Sequence, residues 1–123
     1  MLEHLRRRIV EALREEKTVN LATSGPAGLE ISPCEARSDG LILFLLIPAT
    51  SEHLVNIEAN PEVAITQDHW RLTGTATSQC GSLLRPEIEQ FGLTPLMVCA
   101  SRFEFLAKDT HQVVETIDIG EDD

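Results

Sequence analysis

After residue 17 the spacing of apolar residues changes from a helical period to an alternating one, and that switch restricts what the chain can fold into. Leu2, Leu5, Ile9, Ala12 and Leu13 recur at steps of three and four, one stripe of a helix over residues 2–16. Residues 18–23 alternate as a strand does, and Ser24-Gly25-Pro26-Ala27-Gly28 is turn chemistry. Residues 29–37 read as a second strand, in which Pro33 cannot donate to a ladder and so points to an edge or a bulge. Ser38-Asp39-Gly40 leads into an apolar third strand at residues 41–47. Residues 62–67 and 70–78 form a hairpin turning at Asp68-His69, and strand patterns return at residues 95–106 and 111–119. Residues 81–91 are ambiguous, a loop with a helical turn near 86–90.

Between the third and fourth strands lies TSEHLVNIEANP, residues 50–61. Thr50 or Ser51 can cap a short helix with a hydroxyl, and Asn60-Pro61 stops it. Leu54, Ile57 and Val55 supply its apolar face. So short a helix is marginal alone and must be held by its neighbours. Six or seven strands joined mainly by short turns, with one helix inserted, predict a mainly β fold built as a small antiparallel barrel. Strands do not alternate with long helices, which argues against a doubly wound sheet.

The 123 residues supply one domain, expected over residues 1–120 with a frayed acidic tail at 121–123. No apolar run reaches membrane-spanning length, and the charged start lacks the pattern of a signal peptide, so a cytoplasmic protein is expected. The net charge of −10 is uneven: five of the ten basic residues lie in the first seventeen positions, against four acids. The remaining body therefore carries about −11, which repels nucleic acid and anionic membrane surfaces. Arg6-Arg7-Arg8 reads as the solvated face of the first helix.

Cys34, Cys80 and Cys99 are odd in number, widely spaced and form no CxxC pair, so structural thiols are expected rather than disulfides or zinc. His4, His53, His69 and His111 are as scattered, and no metal is expected. Gly25-Pro26-Ala27-Gly28 is followed by no Gly-Lys-Ser/Thr, so it is a hairpin turn and not a phosphate loop. There is no G-x-S-x-G elbow, and Glu87 and Glu89 sit on a surface turn. Motif by motif, the chain shows no enzyme.

The order of its parts says more. A leading helix, then Leu21-Ala22-Thr23, Gly28, Ser32-Pro33, Ser51, Asn56, Asn60-Pro61-x-Val63 and Gly74-x-Ala76, resembles the FMN-binding split barrel of the pyridoxamine 5′-phosphate oxidase superfamily over nearly the whole chain. The resemblance implies a split antiparallel barrel and a homodimer holding FMN at its interface. It implies a flavin-dependent oxidoreductase acting on a small molecule. It places the phosphate near Thr50, Ser51 and His53, helped by the helix start. It sets the flavin ring beside Ser32-Pro33-Cys34, with His69 and Trp70 as the nearest matches to the ring-contacting strand. Glu52 and His53, however, stand where the family carries arginine and lysine. Leu29 and Cys34 fall near two further basic positions of the oxidase. Its substrate-binding Arg and His near the C-terminus have no evident counterpart, which argues against vitamin B6 oxidation. The alternative is a flavin-free homodimeric module for a small ligand or partner, with a degenerate phosphate site. If His53 replaces a fixed cation, phosphate binding should strengthen as pH falls toward about 6, the range of an unperturbed imidazole.

Overall fold

The computed structural model describes residues 3–78 and 92–119. The expected turn at 86–90, Glu87, Glu89, Cys80 and the tail at 121–123 lie outside the described residues.

Helix α1 (Glu3–Glu15) buries Ile9 and Leu13 and leaves its arginines exposed, as its apolar stripe requires. It is followed by β1 (Thr18–Gly25), β2 (Gly28–Asp39) and β3 (Ile42–Pro48). Helix α2 (Glu52–Ala59) comes next, and then β4 (Glu62–Gln67), β5 (Trp70–Thr77), β6 (Leu93–Leu106) and β7 (Val113–Asp118). All pairings are antiparallel, in the order β3-β2-β1-β4-β5-β6-β7. A further pairing of β6 with β3, with Leu43 opposite Val98, closes six strands into a barrel and leaves β7 as an extension of β6. The expected mainly β split barrel is what forms.

Alternation fills the interior. Leu43, Leu45 and Ile47 of β3 point inward with Leu21, Ile65, Leu72, Leu96, Val98 and Phe103. Burying each such side chain contributes about 1.5–3 kcal/mol. Trp70, which the resemblance matches to the ring-contacting strand, is in the core: it is 2% exposed and stacks on Phe103 with ring centroids 5.3 Å apart. Its indole N–H finds no acceptor among the described residues. Gly74 sits at a bulge between β5 and β6, where a Cβ would lie 2.3 Å from the Cys99 carbonyl oxygen. Only glycine fits there.

Two features position the site. α2 packs chiefly on β1, with lesser contacts to β2 and β5, at the end of the barrel where the β1–β2 turn lies. β2 is longer than its neighbour: β3 pairs only with residues 35–39 of it. Among the described residues, residues 28–34 pair with β1 alone. Pro33 lies in this open stretch, opposite Asn20, where the missing N–H breaks no ladder. No helix among the described residues is long and apolar enough to cross a membrane.

Candidate functional site beside the second helix

The apolar face expected of α2 is only partly there. Ile57 is buried and Leu54 half-buried, but Val55 is exposed, and the most deeply buried side chains include His53 at 3% and Asn56 at 0% exposure. Burying polar groups costs free energy unless each finds a partner, and here each does. His53 Nδ1 lies 2.7 Å from Thr23 Oγ1, and Nε2 lies 2.7 Å from Ser32 Oγ. Asn56 Nδ2 donates to Thr23 Oγ1 at 3.1 Å and to the Gly28 carbonyl at 2.9 Å, while Oδ1 accepts the Ala27 N–H at 2.9 Å. Asn60, the C-cap, donates to Ser24 at 3.4 Å. One helix face is thus stitched to the β1–β2 hairpin by hydrogen bonds.

Close approach makes this possible. A Cβ on Gly25 would stand 2.8 Å from Asn56 Oδ1 and 2.9 Å from Asn56 Cα. The hairpin can lie against the helix only because Gly25 has no side chain. The helix start is capped as expected: Ser51 Oγ accepts the His53 N–H at 3.1 Å.

The electrostatics are acidic. Burial, opposed in part by Glu30, lowers the basicity of the His53 imidazole below its ordinary value. The expected gain of positive charge near pH 6 is therefore revised: the ring is inside, and both nitrogens already have partners. No Lys or Arg occurs at positions 28–34 or 50–53, whereas Glu30 and Glu52 do. Burial also pushes the Cys34 thiol up to about 11, so it stays protonated and poorly nucleophilic near neutrality.

Of the residues singled out in the sequence, Ser32, Ser51 and His53 come together, with Thr50 adjacent in the chain and exposed. Cys34 lies two residues along the same face of β2, and Pro33 faces the other side. His69 and Trp70 stand apart, at the end of β5 that meets Phe105 and Leu106. Arg8 of α1 covers that region, 4.5 Å from the Phe105 ring centre and 2.9 Å from Glu115. Thr23 and Asn56, to which the sequence assigns no role, also belong to this seam. A polar stripe at positions 53, 56 and 60, one helical face, was the signal available for them.

β2 adds a second element. The Ala36 N–H bonds to the Lys17 carbonyl, so by alternation even-numbered residues of β2 turn their backbone groups to β1. Leu29 and Ile31 turn theirs to the open side beside α2, and their side chains are 86% and 73% exposed. Among the described residues no group of three His, Cys, Asp or Glu converges as a metal site would need.

No family model matches this chain, and no curated protein matches its sequence. Solved structures do match. A protein related to general stress protein 26, of the pyridoxinephosphate oxidase family, from Clostridium acetobutylicum superposes with a TM-score of 0.67 at 18% identity, covering 99% of this chain and 98% of that one. An F420 reductase superposes with a TM-score of 0.58 at 19% identity, covering 76% and 94%. A heme binding protein from Mycobacterium smegmatis gives 0.66 at 14% identity, covering 92% of this chain and 56% of that one. The fold is that of the pyridoxamine 5′-phosphate oxidase-like split barrels.

Proposed function

We propose that this chain is a homodimeric split-barrel protein that binds a flat heteroaromatic cofactor along the open edge of β2. A flavin is the first candidate, and the protein is a flavin-dependent oxidoreductase for a small molecule. The observation that carries this reading is the edge itself: among the described residues no strand pairs with the backbone groups of Leu29 and Ile31, in the stretch of β2 that Ser32 ties to the start of α2. Backbone donors and acceptors on a rigid strand suit the alternating acceptors and N–H of a flavin ring. His69 lies at the β4–β5 turn, separated from β2 by β1 and β4 in the strand order, and we infer that a second copy would bring it to Ser32. The chain's charge of −10 supports a small molecule rather than nucleic acid or membrane as its partner, and we assign it to the cytoplasm.

The residues fit the ring and not the phosphate. Thr50 and Ser51 offer hydroxyls, but positions 28–34 and 50–53 hold Glu30 and Glu52 and no Lys or Arg, and a phosphate needs basic partners. This mismatch favours a second reading, a flavin-free module for another small ligand.

Calorimetric titration of the purified protein with FMN, riboflavin and heme separates them. The expected result is binding of FMN and riboflavin within about tenfold of each other, because the phosphate adds no more than about 1.4 kcal/mol. FMN binding far tighter than riboflavin would restore a phosphate site. Binding of neither establishes the flavin-free reading, and heme alone points to a tetrapyrrole ligand.

A further inference from the structure

Ser32, His53 and Thr23 stand at the spacing of a nucleophile, a base and its orienting group, each hydroxyl oxygen 2.7 Å from a ring nitrogen. The direction of the protons decides what this line can do, and Asn56 sets it. Its Oδ1 accepts from the Ala27 N–H and its Nδ2 donates to the Gly28 carbonyl, each at 2.9 Å. An N–H only donates and a carbonyl only accepts, so the amide has one orientation. The second Nδ2 hydrogen goes to Thr23 Oγ1. Thr23 is 4% exposed, and if it accepted from both Asn56 and His53 its own buried hydrogen would have no acceptor among the described residues. It therefore accepts from Asn56 and donates to His53 Nδ1. A neutral imidazole that accepts at Nδ1 carries its proton on Nε2, which donates to Ser32 Oγ. Ser32 has then accepted, its hydroxyl hydrogen is left over, and no described residue takes it. Ser32 is half-buried on the open stretch of β2.

We propose that Ser32 is a one-way hydrogen-bond donor to the bound ligand, that His53 is the positioning residue behind it, and that the ligand presents an uncharged acceptor there, a carbonyl oxygen or a ring nitrogen. An anionic acceptor is disfavoured by Glu30, two residues along the same face of β2, and by Glu52 at the helix start, with no Lys or Arg at positions 28–34 or 50–53 to offset them. The same polarity excludes nucleophilic attack by Ser32, because Nε2 is already protonated and cannot take the hydroxyl proton. Protonating Nδ1 would set two hydrogens against each other between the ring and Thr23, in keeping with the lowered basicity of His53.

The ligand part rests on the site proposed above; the proton arrangement does not. Nitrogen-15 NMR of the imidazole in the ligand-free protein near pH 7.5 tests the arrangement directly. The Nε2–H tautomer should predominate in the wild type and in Thr23→Ser, and Thr23→Val should lose the preference. An Nδ1–H tautomer in the wild type, or labelling of Ser32 by a fluorophosphonate, overturns the proposal. Riboflavin titration tests the donor: Ser32→Ala should bind about tenfold more weakly, and equal binding overturns the donor role. If riboflavin binds neither protein while Nε2–H predominates, the donor geometry is supported and the flavin reading alone fails.

Discussion

Asn56 ties three separate groups of the β1–β2 hairpin to one helix through a single carboxamide. Replacing it by alanine leaves the Ala27 N–H and the Gly28 carbonyl without their partner and frees Thr23. An unsatisfied buried group costs about 1–3 kcal/mol, so Asn56→Ala should lose about 2–3 kcal/mol in chemical denaturation. His53 makes stability depend on pH. Its folded-state pKa lies below the unfolded value, so the unfolded chain takes up the proton first. The contribution of the neutral ring is complete above about pH 6.5 and is lost as pH falls below that. His53→Gln, which cannot ionise, should flatten the stability profile between pH 7 and 5, measured by denaturation midpoints. These residues were half legible in the sequence. Leu54 and Ile57 gave the helix its inward direction, but apolar spacing cannot show that His53 and Asn56 share that face. Their burial depends on hydroxyls thirty residues away, at Thr23, and on the β2 position of Ser32.

α2 is eight residues long, below the length at which a helix holds itself in water. Its cap contributes about 1 kcal/mol, so Ser51→Ala should cost about that much. Gly25→Ala should cost about 1–3 kcal/mol, because the added methyl enters the space of Asn56 and the helix backbone must retreat. Gly25→Ala and Asn56→Ala act on one contact, so their combined loss in denaturation experiments should fall short of the sum. An additive pair would mean that the hairpin and helix do not share this seam. At this scale the sequence was readable: turn residues and period placed each described element within a few residues, and Pro33 announced the open edge. What it hid was the length of β2 relative to β3, because register depends on a partner strand and not on the strand's own composition.

At the scale of the molecule, the open half of β2 presents Leu29 and Ile31 to solvent. Leu29 also borders a groove of about 570 Å³ with Ala22, Ser24, Glu62, Ala64, Thr73 and Ser101, and no basic group lines it among the described residues. Long, flat, apolar edges are what strands pair with or what partners cover. If a second copy covers this one, the double variant Leu29→Lys, Ile31→Lys should sediment as a folded monomer and lose riboflavin binding. A wild-type monomer at micromolar concentration removes the shared site. Order of elements made the fold legible, and Glu52 and His53 already signalled the missing cations. Which surface a second copy would bring to the site was not legible, since nothing along one chain marks which surfaces meet. The closing pair of the barrel, Ile42 to Cys99 through Pro48 to Leu93, has a different consequence, in time rather than in space. During synthesis at about 5–20 residues per second, Cys99 follows Ile42 out of the ribosome by roughly 3–11 s. Through that interval the apolar β3 has β2 on one side and nothing on the other. The nascent chain, and not the finished barrel, is then the species most prone to aggregate, and a chaperone that shields β3 until β6 arrives would raise the yield of folded protein.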